Sequence, residues 1–159
     1  MDIDGGALTV RPIEPGDADA LVRFHAGLSL QSTRLRFFTP HPRLSEGEVE
    51  QFTRVDHHRR EALVALAGDD LVAVARFERL DDSDEAEVAF VVADEWQHHG
   101  IGSELLRRLV VRAREEGVRR FVADTLADNH LMISVFEHSG LPVTRSFDCG
   151  VVHVEFPIN

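Results

Sequence analysis

The sequence predicts a mixed α/β domain, with one central, mostly antiparallel sheet carrying helices on both faces. Three observations predict it. An apolar run over residues 88–93 leads through Gln97-His98-His99-Gly100-Ile101-Gly102 directly into an amphipathic segment. Two stretches read as hairpins, one turning at Gly68-Asp69-Asp70 and one around Asp148-Cys149-Gly150. Between those hairpins, strand-like and helix-like segments alternate, as a crossover connection requires.

Taken in order, Leu8 to Ile13 alternates apolar and polar residues and reads as an edge strand, where Pro12 is tolerated. Asp17 is placed to cap a helix running to about Leu28, with Ala20, Leu21, Phe24 and Leu28 inward. Ser29 to Phe38 is ambiguous, a short helix at most, and Thr39-Pro40-His41-Pro42 breaks it. Ser45 and Glu48 have capping-box spacing and start a helix to about Arg54. Ala62–Ala67 and Leu71–Arg79 form the first hairpin, and the acidic Asp81-Asp82-Ser83-Asp84 loop leads into a fourth strand, Glu85–Ala93. The second half of that strand is apolar enough to be buried on both faces. Leu105, Leu106, Leu109, Val110 and Ala113 then fall at helical spacing opposite Arg107, Arg108, Arg112 and Arg114, and Gly117 ends the helix. Val118–Thr125 is a fifth strand, parallel to the fourth by the right-handed crossover rule. Asp128 can cap a helix carrying Leu131, Met132, Val135 and Phe136 that stops at Gly140. Val143–Phe147 and Val151–Phe156 close the chain. The predicted order is β-α-α-β-β-β-α-β-α-β-β, a single domain over residues 1–159 without repeat or linker.

Composition narrows the function. The net charge of −11 argues against nucleic acid, which needs a basic footprint, and weakly favours cationic partners. No stretch has the length of a membrane span, and the first six residues are acidic rather than a basic signal peptide. Cys149 is the only cysteine, which fits a reducing, cytoplasmic compartment. His57-His58 and His98-His99 lack the spacing of a metal site, so no metal is expected.

The most informative segment is the glycine turn. Two glycines let backbone approach an anion, and a helix N-terminus offers unpaired N–H groups at the positive end of its dipole. A P-loop is excluded because no Gly-Lys-Ser/Thr follows. The dinucleotide fingerprint is half met, since its third glycine position holds Leu105. What remains, Gln97-x-x-Gly100-x-Gly102 after an apolar strand, resembles the coenzyme A pyrophosphate loop of the GNAT acetyltransferases. The predicted element order from Leu8 to Phe156 is similar to that superfamily. Arg34-Leu35-Arg36-Phe37-Phe38, Val64-Ala65-Leu66, the stretch 84–92 and Arg119-Arg120-Phe121-Val122-Ala123 resemble bacterial Pat-type protein-lysine acetyltransferase domains.

The resemblance implies a GNAT fold in which the fourth and fifth strands are parallel and splay apart around acetyl-CoA. It implies that Val91 and Val92 offer backbone groups to the pantetheine arm, one N–H polarising the thioester carbonyl. Gln97, His98, His99, Gly100, Ile101, Gly102 and Ser103 would cradle the pyrophosphate. Asn129 would contact the pantetheine region, or cap its helix beside Asp128. Glu85 and Glu87 share a strand face, so spacing does not choose between them; the resemblance selects Glu87 as general base for a lysine ammonium. Val88, Ala89 and Phe90 around it predict partial desolvation. Phe136 stands where many members carry a tyrosine acid, and the chain has no tyrosine. The implied partner is a protein presenting a lysine, and a regulatory module of the kind fused to Pat domains would lie outside this chain. A small-amine or peptide N-terminus acceptor, or a silent acyl-CoA sensor, are the competing readings.

Overall fold

The computed structural model describes residues 2–3, 6–37 and 43–158 and follows the predicted order with two additions. A short pair, β1 (Asp2–Ile3) and β2 (Gly6–Ala7), precedes the first predicted strand, β3 (Thr9–Pro12). The ambiguous stretch is helical, so α1 (Ala18–Ala26), α2 (Leu30–Phe37) and α3 (Glu46–Thr53) follow β3. Phe38 and the expected break at Thr39-Pro40-His41-Pro42 lie outside the described residues. Next come β4 (Arg60–Ala67), β5 (Asp70–Arg79), β6 (Glu85–Val92) and α4 (Ile101–Glu115). The chain ends with β7 (Arg120–Leu126), α5 (His130–Glu137), β8 (Thr144–Asp148) and β9 (Val151–Pro157). The fourth and fifth predicted strands are therefore β6 and β7.

Among the described residues the main sheet has seven strands in the order β3-β4-β5-β6-β7-β9-β8. Every neighbouring pair is antiparallel except β6–β7, where the α4 crossover makes them parallel. The terminal hairpin enters with its second strand inward, leaving β8 at the edge. No helix among the described residues is long and apolar enough to cross a membrane.

Local chemistry sets the caps. At α3 the Ser45 hydroxyl accepts from the Glu48 N–H at 3.1 Å and the Glu48 carboxylate accepts from the Ser45 N–H at 3.0 Å, the expected box. Asp17 does not cap α1. Its two oxygens accept from Arg11 at 2.8 Å each and one also accepts from the Glu14 N–H at 2.8 Å. A bidentate guanidinium outcompetes a cap, and it holds the Asp17 carboxyl below the usual carboxylate range. At α5 the cap is Asn129 rather than Asp128, accepting from the Met132 N–H at 3.2 Å.

The core lies in two layers. On one face α4 packs over β4, β5 and β6, and five phenylalanines form a continuous chain. Phe77 and Phe121 are 6.0 Å apart, Phe121 and Phe156 5.9 Å, Phe156 and Phe136 5.4 Å, and Phe136 and Phe90 5.7 Å. Burying each ring contributes about 1.5–3 kcal/mol. The other layer gathers Ile13, Leu21, Phe24, Val64 and Val74 beneath α1. Covered fully on one face and partly on the other, β6 buries Val88, Phe90 and Val92 and leaves Ala89 and Val91 half-buried.

Candidate active site

The parallel ladder runs Glu85↔Arg120, Ala86↔Phe121 and Glu87↔Val122, and then stops. Beyond it β6 stays paired to β5 as far as Val92, and β7 stays paired to β9 as far as Leu126, so the two strands part. The direction of the freed groups follows from the ladder. The Ala93 N–H donates to the Val72 carbonyl at 2.8 Å, and the Glu85 carbonyl accepts from the Leu80 N–H at 2.9 Å. Odd-numbered residues of β6 therefore turn their backbone groups toward β5, and even-numbered ones toward β7. The Val91 N–H points into the sheet, whereas those of Phe90 and Val92 face the gap. A cleft of about 350 Å³ fills that gap, bordered by Leu35, Arg36, Phe90, Val92, Asn129 and Met132.

One end of the cleft opens on the glycine loop. A second hollow of about 380 Å³ lies over Gln97, His98, Gly100, Gly102 and Ser103, and borders Val92 and Leu131 as the first does. His98 has φ +65° and Gly100 φ +80°, so the loop turns twice through the left-handed region before α4 begins. The N–H groups of residues 98–103 have no hydrogen-bond partner among the described residues. Unpaired donors leading into and opening a helix suit a pyrophosphate. Coenzyme A phosphates thus fit the residues present.

The seven loop residues contribute differently. Gln97 donates from Nε2 to the Val92 carbonyl at 3.1 Å, tying the loop to the strand end. His98, His99 and Ser103 are exposed. Ile101 is 1% exposed, so only its backbone can meet a ligand. Gly100 has open space where a Cβ would stand, and its need is conformational. At Gly102 a Cβ would come within 3.3 Å of Val135 and 3.4 Å of Phe90, so this glycine lets α4 pack against α5 and β6. Behind the loop, hydrogen bonds from Arg107 and Arg108 hold the Glu104 carboxyl at about 2, and their charge offsets its own near the anion site.

Glu87 sits at the last paired position of the β6–β7 ladder, opposite Val122 on one side and Glu78 on the other. It is exposed, so the expected desolvation is absent: alternation turns it to the incompletely covered face. Glu85 lies opposite Arg120, farther from the gap. A chamber of about 70 Å³ joins Glu87 to Arg36, Phe52 and Arg76. Arg36 borders both this chamber and the cleft. Burial lowers the Arg36 pKa below the usual arginine range, and the Glu87 carboxylate opposes that shift.

The sequence reading missed what places Arg36. Asp94, just past β6, accepts from the Ser29 hydroxyl at 2.9 Å, the Ser29 N–H at 3.2 Å and the Ser32 hydroxyl at 3.1 Å. This clasp fixes the start of α2 against the end of β6, and α2 carries Arg36 back toward Glu87. No spacing rule links residues 29, 32 and 94. Arg76 did leave a signal, a charge inside the buried run 71–77 of β5.

Phe136 is fully buried between Phe90 and Phe156. A phenol there would have no partner in an aromatic cluster. Phe136→Tyr is expected to lower stability by about 1–3 kcal/mol in denaturant unfolding, with little change in turnover. A gain in turnover would show that a hydroxyl at this position reaches the reacting groups.

Comparison with known proteins agrees with this geometry. Residues 28–141 match the model of the acetyltransferase (GNAT) family. The chain is 33% identical over 152 residues to Acetyltransferase Pat of Mycolicibacterium smegmatis, covering 94% of this chain and 45% of that protein. The chain thus spans less than half the length of that relative. The crystal structure of the GNAT domain of S. lividans PAT superposes with a TM-score of 0.92 at 42% identity, covering 99% of this chain and 94% of that one. The structure of yncA from Salmonella typhimurium, solved with its cofactor acetyl-CoA, shares the fold at a TM-score of 0.75 and 20% identity, covering 96% and 93% of the two chains. The chain belongs to the GNAT acetyltransferase family.

Proposed function

We propose that this domain is an acetyl-CoA-dependent N-acetyltransferase that modifies a lysine ε-amine on a protein by direct attack in a ternary complex. The observation that carries this reading is the alignment of the donor-rich loop, the β6–β7 gap and the Glu87 chamber along one path. Acetyl-CoA, when bound, supplies an acetyl group activated as a thioester. The N–H groups of residues 98–103 would hold its pyrophosphate, and the Val92 or Phe90 N–H would polarise the thioester carbonyl. Val91 contributes its side chain to the cleft wall, and Asn129 frames the pantetheine side while capping α5. Glu87 takes a proton from the lysine ammonium, directly or through one water, freeing its lone pair for attack. The Pat-type likeness supports a protein acceptor, and a regulatory module elsewhere in a longer, cytoplasmic protein belongs to the same proposal.

Thiol release from acetyl-CoA, measured against a panel of proteins, lysine peptides and small amines, tests the reading. Transfer to protein lysine is expected to dominate, and binding without transfer to any acceptor would make the domain a sensor. The chain has no tyrosine. The profile of kcat at saturating acceptor should therefore rise through one ionisation and stay flat into moderately alkaline pH. A falling alkaline limb in kcat at saturating acceptor, with enzyme and acceptor stable, would show that another group protonates the leaving thiolate.

A further inference from the structure

Three guanidiniums converge on the chamber that holds Glu87: Arg36 from α2, Arg60 from the start of β4 and Arg76 from the middle of β5. Arg60 donates to the Gln51 and Arg54 carbonyls at 2.9 and 3.3 Å. Arg76 has no hydrogen bond or ion pair among the described residues, and its Cζ lies 4.4 Å from the centroid of the Phe52 ring. Its cross-strand neighbours are Ala62 and Ala89, and the Glu78 carboxylate lies two residues along its own strand. Burial strips water from Arg76, and Arg36 and Arg60 repel it, more than the Glu78 carboxylate offsets, so its pKa is pushed down to about 9. A half-buried cation between like charges is costly unless an anion completes it. A methionine would fill the same space without that cost.

The register adds a spatial pattern. Glu78 and Glu87 form one cross-strand pair, and Arg76 with Ala89 forms the next on the same face, two residues along. The sheet thus presents one row of Arg60, Glu78 and Glu87 and, about 7 Å along, a second row in which Arg76 stands between Ala62 and Ala89. An ammonium belongs at the Glu87 end of the first, and an anion at Arg76 in the second.

We propose that this chamber binds a carboxylate carried by the acceptor, a short side-chain reach from the amine that Glu87 deprotonates. The inference rests on the amine-acceptor reading given above. The planar fork of Arg76 offers parallel N–H donors to a carboxylate, Phe52 keeps that fork flat, and Arg36 adds charge from the cleft side. The carboxylate belongs to an acidic residue near the target lysine, or to a free amino acid that is itself the acceptor.

Heptapeptides with one lysine and either glutamate or glutamine at each of the two positions on either side provide the test. Nα-acetyl-lysine and its amide separate the two sources. At one position kcat/KM is expected to favour glutamate by about 10–100-fold. Arg76→Gln should bring that ratio close to one, and Arg76→Lys should retain part of it. A preference for Nα-acetyl-lysine over its amide assigns the carboxylate to a small acceptor, and a preference confined to the peptides assigns it to a protein. Calorimetry with the same peptides carrying acetyl-lysine in place of lysine reads the preference without turnover. Equal binding and equal rates for glutamate and glutamine peptides, or a ratio that Arg76→Gln leaves unchanged, overturn the carboxylate pocket. If Arg76→Gln does not fold, the wild-type ratio and Arg76→Lys decide. Selective binding of glutamate peptides without acetyl transfer to any amine upholds the pocket and removes the transferase reading.

Discussion

Glu87→Gln is expected to bind acetyl-CoA with unchanged affinity and to turn over about 10²–10⁴ times more slowly, the scale of a positioned general base. The side chain is exposed on the α1–α3 face and lies away from the glycine loop. Glutamine keeps its size and its ability to accept a hydrogen bond, and removes only the capacity to take a proton. Calorimetry for the cosubstrate and thiol release with a lysine acceptor separate the two effects. Near-normal turnover across neutral pH would move the role to Glu85 or dispense with a protein base.

Gly102→Val is expected to lower stability by about 1–3 kcal/mol and to abolish measurable acetyl-CoA binding. The first added carbon already meets Val135 and Phe90 at 3.3 and 3.4 Å, and two further methyls have to enter the same junction. Relief requires the first turn of α4 to move outward, and that turn carries the donors meant for the pyrophosphate. Gly100→Ala makes the informative contrast. Its side chain meets open space, so its cost is confined to holding φ +80°, about 1–2 kcal/mol. Denaturant unfolding gives the stability changes, and calorimetry on the folded variants gives the affinities. Unchanged affinity in a folded Gly102→Val protein would remove this loop from the binding site.

The elements legible in the sequence were those with local causes. Strand, turn and helix signals placed β4 through α5 to within a few residues, because alternation, helical spacing and glycine stops act over short distances. Two local signals gave way to competitors: Asp17 went to Arg11 instead of the α1 N-terminus, and Asn129, one residue on, caps α5 in place of Asp128. The glycine loop was legible as a candidate anion site because one segment carries all of it. The chamber was not, since Arg36, Arg76 and Glu87 come from three separate elements. The desolvation expected at Glu87 followed from its sequence neighbours, but in a strand the immediate neighbours point to the opposite face.

The short β6–β7 ladder divides the sheet mechanically. Seven paired positions join β5 to β6 and seven join β7 to β9, whereas three join β6 to β7. Hydrogen bonds make each half stiff, and the halves cohere across this seam chiefly through side chains such as the Phe77–Phe121 contact. A pantetheine arm lying in the gap would supply backbone partners to both halves, acting as a strut where the sheet has none. Ligand binding and sheet cohesion are then one quantity seen from two sides. Amides bordering the seam would exchange with solvent as its unfilled half flexes, and would slow together when the strut is in place.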